Sequence, residues 1–338
     1  MKAGIASFLC VAAVAGAVRL AAGPAFGAGA DATVAADGTG QYRSVQRAID
    51  ASPQTSRSTR PWTIAIKAGT YRELIYIQRE KRYLHLVGAG AAQTILSYDL
   101  YAGLPGPDGR PIGTFRTPST QIDADDFTAE DLTFENAAGP KGQALAVRVD
   151  GDRVILRRCR LLGWQDTLLA NRGRHYYDRC VIAGGVDFIF GGATAFFDRC
   201  QIICRGRGYI TAASTPAEQP FGFVFADCTI TAEPESVRTY LGRPWRPYAS
   251  VSFLRTRMSE TVRPIGWHNW NQPEREKTAR YAEFGSSGPG ANPGARAPWA
   301  RPLTEAEAQA ITIPRVLGGA EGWRPEEASP ASAPGSGG

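Results

Sequence analysis

Two acids and two amides carry the strongest chemical signal in this chain. Asp166 lies in G-W-Q-D-T-L and Asp187 in G-V-D-F-I-F-G, 21 residues further on. Gln165 directly precedes Asp166, and Gln143 stands 22 residues before Gln165. Asp187 sits inside the apolar run V-D-F-I-F, where a carboxylate is tolerated only if it is hydrogen-bonded or paired. Two carboxylates held close together resist double ionisation, so the pair should split into an ionised and a protonated member. A nucleophile beside a proton donor suits ester hydrolysis. A separation near ~5 Å also suits a double-displacement glycosidase. The glutamines favour the ester, because amide N–H donors beside a carboxylate nucleophile make an oxyanion hole, which an oxocarbenium ion does not need.

Other chemistries are poorly represented. The chain has no G-x-S-x-G elbow and no H-E-x-x-H. G-A-G-A-A-Q (88–93) fails the dinucleotide fingerprint at its last position and reads as a turn. Asp123, Asp125 and Asp126 read as a solvated turn rather than a calcium site. C-x-x-C is absent and only His85, His175 and His268 are available, so a zinc site is not expected. Neither a metal nor an organic cofactor is required.

What positions the four residues is a repeat. R-R-C-R-L (157–161), D-R-C-V-I (178–182), D-R-C-Q-I (198–202) and A-D-C-T-I (226–230) read as strand-like units, their cysteines spaced 21, 20 and 28. A period in the twenties with one apolar segment per unit marks a solenoid. Stacked turns lie ~4.8 Å apart, so Asp166 and Asp187 should be neighbours, with Gln143 one turn beyond Gln165. Further β-rich segments run from Thr63 onward (T-I-A-I, E-L-I-Y-I, Y-L-H-L-V-G, Q-T-I-L, D-L-T-F, L-A-V-R-V, R-V-I-L) with no long amphipathic helix between them, which excludes alternating α/β architectures. Tyr42–Ala51 has helical spacing suited to an N-terminal cap. Thr304–Ala310 reads as a short C-terminal helix, with Glu307 completing a capping box on Thr304. The expectation is all-β: a single-stranded right-handed parallel β-helix with these two short helices.

At 338 residues and 43% apolar content, one elongated domain accounts for the chain. Residues 1–30 read as a secretion signal: Met1-Lys2, an apolar run Ile5–Val18, then Ala28-Gly29-Ala30. The domain spans 31–324, and the Pro/Ser/Ala/Gly-rich 325–338 reads as a disordered tail. Export, extracellular or periplasmic, would leave five cysteines free to oxidise. The net charge of +6 is carried by 33 Arg and only 5 Lys. Guanidinium groups suit planar carboxylates, so an acidic polymer is the expected partner. A nucleic-acid partner is disfavoured by export and by the absence of a basic helix, and no segment after the leader could span a membrane.

The motifs G-T-Y-R-E (69–73), G-Q-A-L-A-V (142–147), G-W-Q-D-T-L (163–168), G-V-D-F-I-F-G (185–191) and Y-L-G-R-P-W (240–245) occur in one order. With V-A-A-D-G-T-G-Q-Y-R-S-V-Q-R-A-I-D (34–50) and G-W-H-N-W (266–270), they make residues 34–324 resemble the pectin methylesterases, and bacterial members in particular. The resemblance implies a parallel β-helix that removes methyl groups from esterified galacturonan. It implies Asp187 as nucleophile, Asp166 as general acid/base, Gln143 and Gln165 as the oxyanion hole, and Arg243 as the group holding Asp187. Trp245, Trp267, Phe190 and Thr114 would contact the sugar, and Cys180 and Cys200 would form a disulfide. Q-A-L-A-V in place of the commoner Q-A-V-A-L is an apolar exchange, and there is no room for the inhibitor-like pro-region of many plant forms. A monomer is expected. An acyl thioesterase, a pectin-cleaving glycosidase or lyase, and a non-catalytic sugar-binding β-helix remain as alternatives.

Overall fold

Each turn of the chain makes three short strands, and successive turns stack in register. One turn runs Val154–Arg157, Arg160–Leu162 and Leu168–Ala170; the next runs Arg174–Asp178, Val181–Gly184 and Ile189–Gly191. The computed structural model describes residues 29–54, 59–234 and 237–328. It arranges these strands as three parallel sheets of eleven, seven and eight strands, a right-handed parallel β-helix. The expected signal sequence lies outside the described residues, apart from its last two.

The cysteine motifs turn out to be corners rather than strands. Between the first and second strand of a turn, one residue takes the left-handed conformation: Asp131, Arg158, Arg179, Arg199, Asp227 and Arg255, with φ between 48° and 57°. That conformation is unfavourable for residues other than glycine, asparagine and aspartate. Ion pairs between stacked corners help to hold it. Arg158 forks onto Asp131 through two contacts of 2.7 Å, and Arg255 onto Asp227 through contacts of 2.8 and 2.7 Å.

The next residue in each corner turns inward. Register pairs Arg160 with Val181, Val181 with Gln201 and Gln201 with Thr229, so Cys159, Cys180, Cys200 and Cys228 form a ladder inside the core. The expected Cys180–Cys200 disulfide is not formed; all five described cysteines are buried free thiols. Side chains in register on parallel strands are separated by about the strand spacing of ~4.8 Å. A disulfide prefers a Cβ–Cβ separation of ~3.8 Å. Each of the four ladder thiols instead meets a carbonyl of the preceding turn, at 3.5 Å for Cys159 on Ala129 and 3.3 Å for Cys180 on Leu156, Cys200 on Tyr177 and Cys228 on Phe197.

Aromatic rings stack beside that ladder. Tyr177, Phe197, Phe225 and Phe253 lie face to face at 4.6, 4.4 and 4.5 Å between centroids. Among the described residues three α-helices flank the solenoid, one near its N-terminal end and two on an outer face. Helix α1 (Val45–Ala51) starts later than the apolar spacing suggested, because Ser44 caps it by accepting from the Arg47 N–H, and it buries Val45, Ala48 and Ile49. Helix α2 (Glu305–Ala310) has the expected Thr304–Glu307 capping box. Helix α3 (Ile313–Leu317) was not anticipated, its five residues being too few to show a period. Together α2 and α3 bury Ala308, Val316 and Leu317 against Ile155, Tyr176, Phe196 and Val224 of the eleven-stranded sheet. Residues 325–328, expected to be disordered, are placed: Pro325 is buried and its carbonyl accepts from Arg157 Nη2. Residues 329–338 lie outside the described set.

Candidate active site

The seven-stranded sheet brings the four residues together. Gln143 pairs with Gln165, and Gln165 with Val186, which makes Asp166 and Asp187 neighbours on adjacent turns. The Gln143 spacing of 22 fits the same register because the chain carries a bulge there. Beyond the Gln143–Gln165 pair the next match is Val147 with Leu168, one residue more on the first strand, and the N–H groups of both Ala146 and Val147 donate to the Thr167 carbonyl. Both glutamines are half-buried, and among the described residues neither side-chain amide has a protein partner. The two amides are therefore available to donate.

Asp166 and Asp187 both adopt left-handed backbone, φ 64° and 49°, at the bend that enters their strands. Arg243 holds Asp187 with a two-pronged fork, Nε to Oδ1 at 2.9 Å and Nη2 to Oδ2 at 2.6 Å. Gly242 permits this approach: a Cβ there would lie 1.9 Å from the Thr211 hydroxyl oxygen. Burial pushes Asp166 up to about 8, the charge of Asp187 adds to the rise, and Arg243 opposes it. Burial also raises Asp187, but the Arg243 hydrogen bonds and charge pull it back. At neutral pH Asp166 therefore keeps its proton, and Asp187 is the member with a cation to stabilise its anion.

Two aromatic residues absent from the sequence-based set complete the site. The Arg243 guanidinium is sandwiched between rings, 3.9 Å from the Tyr209 centroid and 3.6 Å from that of Trp270. Tyr209 lies 22 residues after Asp187, so the repeat period contained the signal for it. Trp270 and Asn271 are consecutive left-handed residues, φ 62° and 56°, that swing the indole over the arginine. His268 Nδ1 accepts the Trp270 backbone N–H at 3.0 Å. Burial, then the charge of Arg243, depresses the His268 pKa, which keeps that nitrogen free to accept.

Trp267 is not a cleft residue. It is 2% exposed and continues the interior aromatic stack, 5.9 Å from Phe253 and 4.4 Å from Tyr281. Its backbone pairs with Gly242 at a strand position that faces the core, and the chain must bend three residues further before an indole reaches the surface. Trp245 and Trp270 take the outer position, packed on Leu145, Leu169, Phe190 and Ala212. Phe190 is buried and tilts against Trp245 at 5.8 Å, so it supports that ring from below. Thr114 is half-exposed on the loop that docks through Ala102 N–H onto the Gln143 carbonyl at 2.8 Å. The Asp123–Asp126 cluster is consumed by protein partners: Tyr76 and Gln121 on Asp123, the Asp152 N–H on Asp125, and Arg82 and Arg153 on Asp126. No candidate metal cluster occurs among the described residues.

A parallel β-helix whose outer sheet presents two acids, a forked arginine and two free amides defines a carboxylic ester hydrolase. A pectinesterase family model matches residues 31–320, and the chain belongs to the pectinesterase family. Pectinesterase 31 of Arabidopsis thaliana is 41% identical over 283 residues, covering 81% of this chain and 88% of that protein. A probable pectinesterase/pectinesterase inhibitor of Brassica napus is 37% identical over 84% of this chain, which spans 50% of its length. Among solved structures, the pectin methylesterase from carrot superposes with a TM-score of 0.82 at 32% identity, covering 90% of this chain and 98% of that one. Pectin methylesterase PemA from Erwinia chrysanthemi gives 0.76 at 30% identity, covering 88% and 99%. The similarity therefore extends to plant as well as bacterial proteins.

Proposed function

We propose that the protein hydrolyses methyl esters of galacturonan through an aspartyl acyl-enzyme. The observation that carries this reading is the asymmetry of the acid pair: Asp187 is forked by Arg243, while Asp166 beside it retains a proton to about 8. Ionised Asp187 attacks the ester carbonyl, and the developing oxyanion receives the amides of Gln143 and Gln165. As the carbonyl re-forms, the C–O bond to the methoxy group breaks and Asp166 gives its proton to departing methanol. Asp166, now a carboxylate, takes a proton from water, whose oxygen attacks the acyl carbon and releases Asp187. The galacturonic acid leaves and gives its proton to solvent, Asp187 is again ionised, and Asp166 ends protonated as it began.

Trp245 and Trp270 offer ring faces to the sugar, and arginines near the cleft suit carboxylates already exposed on the polymer. The solved relatives include a pectin methylesterase in complex with a hexasaccharide, which supports an oligomeric sugar as the ligand. Secretion of a monomeric enzyme accords with a wall polymer as substrate, and no helix among the described residues is long and apolar enough to cross a membrane. The test is methanol release from highly methylated pectin with polymer length followed in the same tube. Methanol without shortening is expected; shortening would mean a glycosidase or lyase, and neither would mean another ester or a binding module.

A further inference from the structure

A separate cavity lies on the outer face of the eleven-stranded sheet. On that face Thr63, His85, Thr128, Ile155, Tyr176, Phe196 and Val224 run in register across seven neighbouring strands. Helices α2 and α3 cover the apolar half of the row, from Ile155 to Val224. Over His85 and Thr128 the cover gives way to a cavity of about 690 Å³, walled by Tyr83, Arg153, Glu321 and Trp323 among others. That is ample space for one or two sugar rings.

Beside it sit two buried polar atoms without a well-formed hydrogen bond. His85 Nε2 and Glu130 Oε1 face each other at 3.5 Å and Arg157 Nη1 stands 3.6 Å from the same oxygen, ion-pair distances too long for a good hydrogen bond, and neither atom has a hydrogen-bond partner among the described residues. His85 is 8% and Glu130 2% exposed, and the other Glu130 oxygen is taken by Arg158 at 2.8 Å. Buried polar atoms are ordinarily satisfied, so the His85 nitrogen, on a residue that lines the cavity and without a hydrogen bond, points to a missing partner.

The surroundings define the partner's chemistry. Asp126 is held by Arg82 and Arg153, Glu321 by Arg174 and Arg153, and Arg157 Nη2 donates to the Pro325 carbonyl. An anion would meet the two carboxylates that line the cavity, Asp126 and Glu321. A cation would meet the arginines that pair with them. A hydroxyl fits, since it carries no charge and can either donate to or accept from the Nε2 of His85, which lines the cavity. Tyr83 and Trp323 add the aromatic faces on which the C–H side of a pyranose rests.

We propose that this cavity is a second, non-catalytic carbohydrate site that takes a neutral sugar unit. It lets the enzyme hold uncharged portions of a polysaccharide on a face other than the one that cleaves esters. Binding is read separately from methanol release, so its failure leaves the esterase reading intact and the reverse also holds.

The test is calorimetric titration of the full chain carrying Asp187→Asn with galactotetraose and, in parallel, tetragalacturonate. Galactotetraose should bind, and Trp323→Ala and His85→Ala, each added to that chain, should weaken it roughly tenfold, the loss expected for a lost ring face or buried hydrogen bond. In the otherwise unaltered enzyme, the same two changes should leave methanol release from a short methylated oligogalacturonate unchanged. Trp323 is half-exposed, so its variant serves if replacing buried His85 impairs folding. No heat at millimolar galactotetraose, or equal binding after both substitutions, overturns the proposal. Tighter binding of tetragalacturonate through the same two residues would overturn the neutral-sugar assignment.

Discussion

Asp150 and Asp166 are exposed to nearly the same degree, 9% and 8%, and lie on adjacent turns of one sheet, yet their acidities diverge. Burial pushes both upward. At Asp150, hydrogen bonds from Arg148 and Asn171 and the charges of Arg148 and Arg172 reverse the push, so the carboxyl is held below its ordinary value. Among the described residues Asp166 has no hydrogen-bond donor to its carboxylate, and the neighbouring Asp187 adds to its rise to about 8. Asp126 and Asp152, on the turns leading into the eleven-stranded sheet, repeat the Asp150 pattern with Arg153 and Arg174 as partners. Burial alone does not mark a functional acid here. What marks it is burial that the surrounding structure leaves uncompensated, and Asp187 stands between the extremes with a single arginine.

The largest effect should come from removing the one site acid that has a cation. Asp187→Asn should lower turnover by about 10⁴ or more, since the covalent route is lost. Substantial residual methanol release would favour direct attack by water with Asp166 as base. Gln165→Ala should cost about 10²–10³ in turnover, the usual loss for one oxyanion donor. Its KM should change little, and a pure KM effect would place the amide on ground-state substrate instead. Trp270→Leu should cost roughly tenfold, because the guanidinium loses one face of its sandwich, a contact worth about 1–2 kcal/mol. The acid limb of the rate profile should move to higher pH as Asp187 loses part of its stabilisation, and Trp270→Phe should restore most of both. A change in KM alone would make Trp270 only a sugar platform.

Stability should shift in opposite directions at the two contrasted acids. A raised carboxyl stabilises the fold fully only below its unfolded value near 3.8, and that contribution is lost as pH climbs through about 8. Asp166→Asn should therefore stabilise the protein at neutral pH, by at most about 4 kcal/mol at 1.4 kcal/mol per unit. A depressed carboxyl behaves the other way, contributing above its unfolded value and losing that contribution as pH falls through the folded value. Asp150→Asn should cost about 1–3 kcal/mol at neutral pH and little in acid. Thermal melts of both variants across pH check the pair; destabilisation by Asp166→Asn would erase the contrast.

The repeat period made most of the site legible, because register in a solenoid converts sequence spacing directly into adjacency. The 21-residue step placed Asp166 beside Asp187, and a bulge absorbed the extra residue before Gln165. Side-chain direction was harder to read. Trp267 and Trp270 differ by three residues in one G-W-H-N-W motif, and only the left-handed bend at 270 and 271 decides which indole reaches the surface. The cysteine motifs looked like strands because their apolar residues face inward, yet a single left-handed residue turns each into a corner. The same corners align the thiols in a row, two of which the family resemblance implied as a bonded pair. The short α3 and the paired acids of the outer faces depend on contacts between residues far apart in sequence, which periodicity does not report.

The division of protonation between Asp166 and Asp187 is the centre of this account, and it can be observed without substrate. Carboxyl carbon NMR of aspartate-labelled protein, with Asp166→Asn and Asp187→Asn spectra used for assignment, follows each group through its titration. A signal that moves near pH 8 and vanishes in Asp166→Asn, with Asp187 already ionised at neutral pH, is the predicted result. Both site carboxyls titrating below pH 5 would contradict it.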